Sequence, residues 1–259
     1  MRKEDFKLSS VLIIHIIMIL IVFLLGKLFN GPSIDGRDSE PSVIYSILAM
    51  IVSIVTNIIL AHGLLFNRMG SVSEYLDGYH VIKPTNFGLS LLINVIPTIA
   101  VIVTGTFFAA SLTMGTLAGN YTGLGSMLIF LIVLLIVSVI YYIFTAYQYF
   151  VIADNPNMAF GDLFKKVFVV GKDLSGQTLK VFLKWILAPI IIYIVLIVAL
   201  LGASIGDNIG ASIFAGILSL VFIVYIVVAY VFFLNQLSLN YLDYKEKNTD
   251  ETYQKQVFE

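Results

Sequence analysis

The chain has 259 residues, 59% hydrophobic and only 12% charged, with a formal net charge of -1 and no cysteine. A soluble domain carries about a quarter charged residues, so water is excluded as the main solvent, and the mean hydropathy of +0.98 agrees. Near-zero charge gives no reason to expect nucleic acid as a partner, and without cysteine there are no disulfides, thiolate metal sites, cysteine nucleophiles or cysteine-linked lipids.

A membrane-spanning helix needs about 20 largely apolar residues, because each backbone N–H and C=O must be bonded within the segment. Six stretches meet that demand, at 8–29, 43–66, 87–114, 126–152, 185–203 and 211–241. The first follows Arg2, Lys3 and Lys7 and is apolar from Leu8 to Leu25. Gly26-Lys27-Leu28-Phe29 follows instead of a small-x-small cleavage site, so a retained span is expected. The third, fourth and sixth exceed the hydrocarbon thickness and are expected to tilt or to extend past it.

Between the spans lie a polar segment at 30–42, mixed ones at 67–86 and 153–184, a glycine-rich corner at 115–125 and a small corner at 204–210. With the N-terminus inside, Arg2, Lys3, Lys7, Arg68, Lys83, Lys165, Lys166, Lys172, Lys180, Lys184, Lys245, Lys247 and Lys255 fall on the cytoplasmic side, leaving Lys27 and Arg37 outside. Each long inner loop carries a short amphipathic pattern. In the first, Ser71 and Glu74 have capping-box spacing ahead of Tyr75, Leu76, Tyr79 and Ile82. In the second, Phe160, Leu163, Phe164, Val167 and Phe168 form one stripe. Both are expected to be helices on the inner membrane surface.

The expected fold is therefore all-α, a polytopic transmembrane helix bundle of about six spans with both termini cytoplasmic and two amphipathic helices on the cytoplasmic side. One membrane domain covers 1–242, and 243–259 is a short polar tail. Ser73–Pro97 can be laid over Gly161–Pro189, which suggests two parallel units, each a span, an inner helix and a span bearing Pro97 or Pro189.

The stretch Tyr141 to Asp173, YYIFTAYQYFVIADNPNMAFGDLFKKVFVVGKD, resembles a family of uncharacterised bacterial membrane proteins with a domain of unknown function. The family is similar to the membrane domain attached to some glycerophosphodiester phosphodiesterases. There a tyrosine-rich span ends in an Asp-Asn-Pro-like turn before a helix. The likeness extends over Gly63 to Pro97 and the last span ending in Asn240-Tyr241, and departs at Val167 to Gly171, where Val-Phe-Val-Val replaces a serine and a Leu-Met pair. It implies this architecture and a place in the bacterial cytoplasmic membrane, and carries no catalytic residue across.

All sixteen Asp and Glu fall in loops, tails or span ends. His15 is the one titratable side chain well inside an apolar run, and its two readings are a hydrogen bond to a neighbouring helix and a proton relay. The intramembrane amides Asn57, Asn94, Gln148, Asn235, Gln236 and Asn240 either fix the bundle by interhelical hydrogen bonds or, with His15, form a polar cavity opening inward. Tyr141, Tyr142, Tyr147 and Tyr149 line or belt the same level. Lys165, Lys166, Lys172, Lys180 and Lys184 are candidates for anionic headgroup contacts. Gly115, Gly119 and Gly123, like Gly202, Gly206 and Gly210, have a four-residue spacing that suits close helix packing or a flexible turn.

No phosphate-binding loop or HExxH pattern is present in the sequence and no GxSxG string sits at a strand-to-helix elbow, so no catalytic, cofactor-binding or metal residues are expected. The leading expectation is a non-enzymatic protein that binds lipid or a hydrophobic peptide, or scaffolds another membrane protein. The alternative is a small-solute transporter or channel with its path between the two related units. A membrane-embedded enzyme is the third reading.

Overall fold

Long apolar runs leave the backbone no partner but itself, and the chain answers with helices throughout. The structure is a computed structural model that describes residues 5–29, 43–117, 124–203 and 209–258. The expected segment at 30–42 with Arg37, together with Arg2, Lys3, Gly119, Gly123 and Gly206, lies outside the described residues. Among the described residues ten α-helices follow one another: α1 (Leu8–Phe29), α2 (Val43–Phe66), α3 (Val72–Leu76), α4 (Pro84–Leu117), α5 (Leu124–Thr145), α6 (Gln148–Asp154), α7 (Phe160–Asp173), α8 (Ser175–Phe182), α9 (Ala188–Ala203) and α10 (Ile209–Phe258). A 3-10 turn at Asp77–Val81 follows α3, and a π turn at Leu183–Leu187 joins α8 to α9. Among the described residues there is no strand, and six helices are long and apolar enough to cross a membrane.

The span boundaries differ from the hydropathy pattern in two places. The fifth span begins at Ser175 rather than near 185, because the polar residues Gly176, Gln177, Lys180 and Lys184 lower hydropathy without ending the helix. The sixth helix continues to Phe258, through the stretch expected to be a polar tail. Good helix formers such as Lys245, Glu246 and Lys247 sustain helix with no apolar medium around them.

Each proline deletes one backbone donor, and each deletion is met differently. Pro189 cannot bond the carbonyl four residues back, and the chain widens just before it into the π turn, where the Ala188 N–H reaches Leu183 O. Pro97 lies inside α4 and leaves the Ile93 carbonyl without its helical donor. The Tyr141 hydroxyl of α5 donates to that carbonyl at 2.8 Å.

Packing is concentrated at one end of the bundle. Buried apolar side chains come from the start of α1 (Val11, Ile14), the end of α2 (Ile58, Leu64), the start of α4 (Leu89, Ile93), α6 (Phe150, Val151) and the later part of α10 (Phe233, Leu237). At the opposite end Leu24, Ile44, Val103, Ile192, Val198 and Val221 are exposed. The same packed end carries Lys7, Arg68, Lys83, the lysines of α7 and α8, and Lys245, so it is the basic end. Apolar surface exposed over whole helix lengths suits hydrocarbon as the surrounding medium.

Two glycines set how closely the short helices approach. A Cβ on Gly63 of α2 would lie 2.0 Å from Tyr75 Cδ1, so only glycine lets the fully buried Tyr75 ring seat α3 there. The Ser71–Glu74 capping box starts α3 as its spacing predicts. A Cβ on Gly171 of α7 would fall 1.8 Å from Phe144 O, against backbone that cannot rotate away. The apolar stripe of α7 is divided: Leu163 and Val167 are buried in the protein, whereas Phe160 is exposed.

Gly171→Ala is therefore expected to lower stability in detergent by roughly 1–3 kcal/mol, the usual cost of overpacking. Gly161→Ala on the same helix, where an added Cβ meets nothing within 4 Å, should be neutral or slightly stabilising. Paired thermal melts measure the difference, and equal melting points would remove the close-approach account.

Candidate functional site

The fourth span is broken. Between α5 and α6 a two-residue turn at Ala146–Tyr147 interrupts the helix immediately before Gln148. Beside this break lies a cavity of about 500 Å³, enclosed by α2, α4, α5, α6 and α10 and touched by Phe182 of α8. Its size falls within the range of sites for small organic ligands.

The polar side chains of the wall come from several helices. Asn57 of α2 donates to Ser53 Oγ at 3.3 Å and accepts from the Tyr230 hydroxyl of α10 at 3.4 Å. Asn94 of α4 donates to Ser90 O at 2.6 Å and to the Tyr149 hydroxyl of α6 at 3.1 Å. Thr145 turns back onto Tyr141 O at 2.9 Å. Gln148 differs from these: its side chain is 7% exposed, and its Oε1 has no hydrogen-bond donor among the described residues. An unpaired buried amide oxygen costs about 1–3 kcal/mol relative to a satisfied one. Among the described residues the wall contains no Lys, Arg, His, Asp or Glu. Leu135, Val139, Leu234 and Pro97 supply its apolar part.

Of the seven residues grouped from the sequence, Asn57, Asn94 and Gln148 meet at this cavity. His15 stops one ring short of it, its imidazole 4.9 Å from the ring of Tyr230 and its Nδ1 without a partner among the described residues. Asn235 accepts from Arg68 Nη2, and Asn240 donates to the Tyr147 hydroxyl at 3.3 Å, so both serve helix contacts outside the cavity. Gln236 is half-buried on α10 and does not reach the wall. Tyr230 and Ser53 complete the wall, and only their place within apolar runs marked them in the sequence.

The basic end has its own polar network. Arg68 Nη1 donates to Leu64 O at 3.0 Å and to Ser238 Oγ at 2.7 Å, and its Nε donates to Asp5 O at 3.3 Å. Its carbonyl accepts from Lys7 N at 2.9 Å and from the Tyr75 hydroxyl at 3.1 Å. Burial holds the Tyr75 phenol up at about 12, so it remains a neutral donor at physiological pH. Asp154 pairs with Lys245 at 2.6 Å and accepts from Tyr241 at 3.1 Å. Of the five candidate headgroup lysines, Lys165, Lys172, Lys180 and Lys184 are exposed, and Lys166 donates to Asn155 Oδ1 at 2.8 Å. No group of three or more His, Cys, Asp or Glu positioned for a metal occurs among the described residues.

Comparison with protein families, curated proteins and solved structures finds no match, so nothing there bears on the family resemblance or on function.

The Tyr141 bond to the carbonyl freed by Pro97 forms part of the wall, and a double-mutant cycle isolates it. Tyr141→Phe should cost about 1 kcal/mol in the native chain. The cost should shrink toward zero in a Pro97→Ala background, where residue 97 again supplies an N–H. Denaturation in mixed micelles reads the coupling, and an equal cost in both backgrounds would refute the assignment.

Proposed function

We propose that the chain is a non-enzymatic, multi-pass protein of the bacterial cytoplasmic membrane that holds a lipid-like amphiphile between its helices. The observation that carries this reading is the cavity with Gln148 Oε1 buried and undonated at its polar end. Leu135, which lines the cavity, is 65% exposed on the outer flank of α5, so the space opens sideways onto the bundle's apolar surface. Leu135 lies ten residues before the end of α5 at Thr145, and at 1.5 Å per residue the apolar opening lies about 15 Å up that helix from the break that precedes the amide. An amphiphile of the leaflet on that side has this polarity, with its head toward the basic end and its chain toward the centre. The exposed lysines of α7 and α8 would then face anionic headgroups at the cytoplasmic surface, each contributing about 1 kcal/mol. Among the described residues the wall presents amides, hydroxyls and apolar groups without a carboxylate or imidazole, which favours binding over turnover.

A transport path is the second reading, and one observation favours it. The cavity lies where α2 and α4 meet α5 and α6, between the two related units, and Pro97 is in its wall.

Mass spectrometry of the protein released gently from native membranes tests the first reading. A retained amphiphile is expected. Ser138→Trp, which fills the cavity from α5, should lose it while circular dichroism and the elution profile stay unchanged. Wild-type protein carrying no amphiphile in repeated preparations would sink the reading. Solute flux in proteoliposomes that Ser138→Trp blocks would replace it with the transport one.

A further inference from the structure

The chemistry of the cavity wall restricts what the amphiphile's head can be. We infer that the site selects an uncharged lipid with a free hydroxyl, of the diacylglycerol class, over a lipid bearing a phosphate; this rests on the amphiphile-binding reading above. Three observations converge on it.

The first is the donor and acceptor balance. Asn94 has both amide N–H groups engaged within the protein, on Ser90 O and the Tyr149 hydroxyl, and Asn57 has one engaged, on Ser53 Oγ. Among the deeply buried polar atoms of the wall, Gln148 Oε1 is an acceptor with no donor among the described residues. A ligand that completes the wall must therefore bring an O–H or N–H. The second is charge. A phosphate needs cationic or multiple N–H partners where water is scarce, and no Lys, Arg or His is in the wall. The half-buried Arg68 guanidinium at the basic end is directed to Leu64 O, Ser238 and Asn235. The third is shape. About 500 Å³ holds a glycerol head and the first part of its chains, and the exposed flank at Leu135 lets the remaining chain length leave into hydrocarbon.

The hydroxyl would donate to Gln148 Oε1, with the ester region between Asn57 and Asn94 and the chains along Val139, Leu135 and Pro97. Wall tyrosines flank the glycerol, Tyr142 from α5 and Tyr230 from α10.

The test uses the full-length protein in nanodiscs of zwitterionic lipid and three probes with identical oleoyl chains. Dioleoylglycerol has the free hydroxyl, dioleoylglycerol acetate has it capped, and dioleoyl phosphatidate has a phosphate. Native mass spectrometry reads retention at equal loading. Dioleoylglycerol should be retained about tenfold more than the acetate, the ratio that one hydrogen bond to a buried neutral group supplies, and more than the phosphatidate. Gln148→Met should abolish the preference over the acetate and leave weak binding of both. Because the acetate comparison needs no substitution, it stands even if that variant misfolds. Equal retention of dioleoylglycerol and its acetate, or preference for the phosphatidate, would overturn the inference and leave the amphiphile reading intact. Failure of all three probes to bind, with no native amphiphile found, would remove both.

Discussion

Between helices in hydrocarbon there is no hydrophobic force to gather them, since lipid tails are as apolar as leucine. What assembles this bundle is a run of polar side chains on the basic-end part of α10. Asn235 and Ser238 take the Arg68 guanidinium and thereby the end of α2 and the segment before α1. Asn240 donates to the Tyr147 hydroxyl, which also accepts from Thr178 of α8. Tyr241 and Lys245 hold Asp154 at the end of α6, and Tyr244 donates to Asp173 at the end of α7. One helix thus ties together the segment before α1, the end of α2, the turn before α6, and α6, α7 and α8 within three turns. The remaining junction, between the segment before α4 and the one before α7, is closed by Asn86, which donates to Val81 O at 3.0 Å and to Pro156 O at 3.3 Å.

This distribution accounts for the asymmetry of the molecule. Where polar partners and the Gly63 and Gly171 contacts act, helices touch closely and side chains are buried. Toward the other end Tyr193 of α9 and Ser219 of α10 share a hydrogen bond at 2.8 Å, and the spans present apolar side chains outward. The cavity occurs at the boundary between the two regimes. There the break at Ala146–Tyr147 turns the fourth span while the α10 contacts below it keep α6 in place.

Six spans, the capping box at Ser71 and the helix over 160–173 were legible because they depend on hydropathy and local spacing. The fifth span's true start was not, since its first turns are amphipathic and differ from a surface helix only in what packs against them. The candidate amides were recognisable as a class, because an amide in an apolar run must find a partner. Their division between a cavity and helix contacts was not recognisable, for it depends on which helix faces which. Arg68 read from sequence as one more inner cation. Its role as a hub comes from the six backbone and side-chain groups that converge on it.

Pro97 shows how a backbone defect and a binding wall become one feature. Removing an N–H in hydrocarbon obliges a neighbouring group to donate to the stranded carbonyl. Here Tyr141 does so, at 2.8 Å to Ile93 O, and its ring is thereby held at the edge of the cavity. Asn94, next in the chain, has its own carbonyl occupied by Thr98 Oγ1 at 2.9 Å and its amide directed to Tyr149. The proline region thus spends its neighbours' hydrogen bonds on protein partners. Gln148, just past the break in the facing span, keeps an unspent acceptor. That contrast gives the wall a definite chemical preference where apolar packing alone would give only a shape.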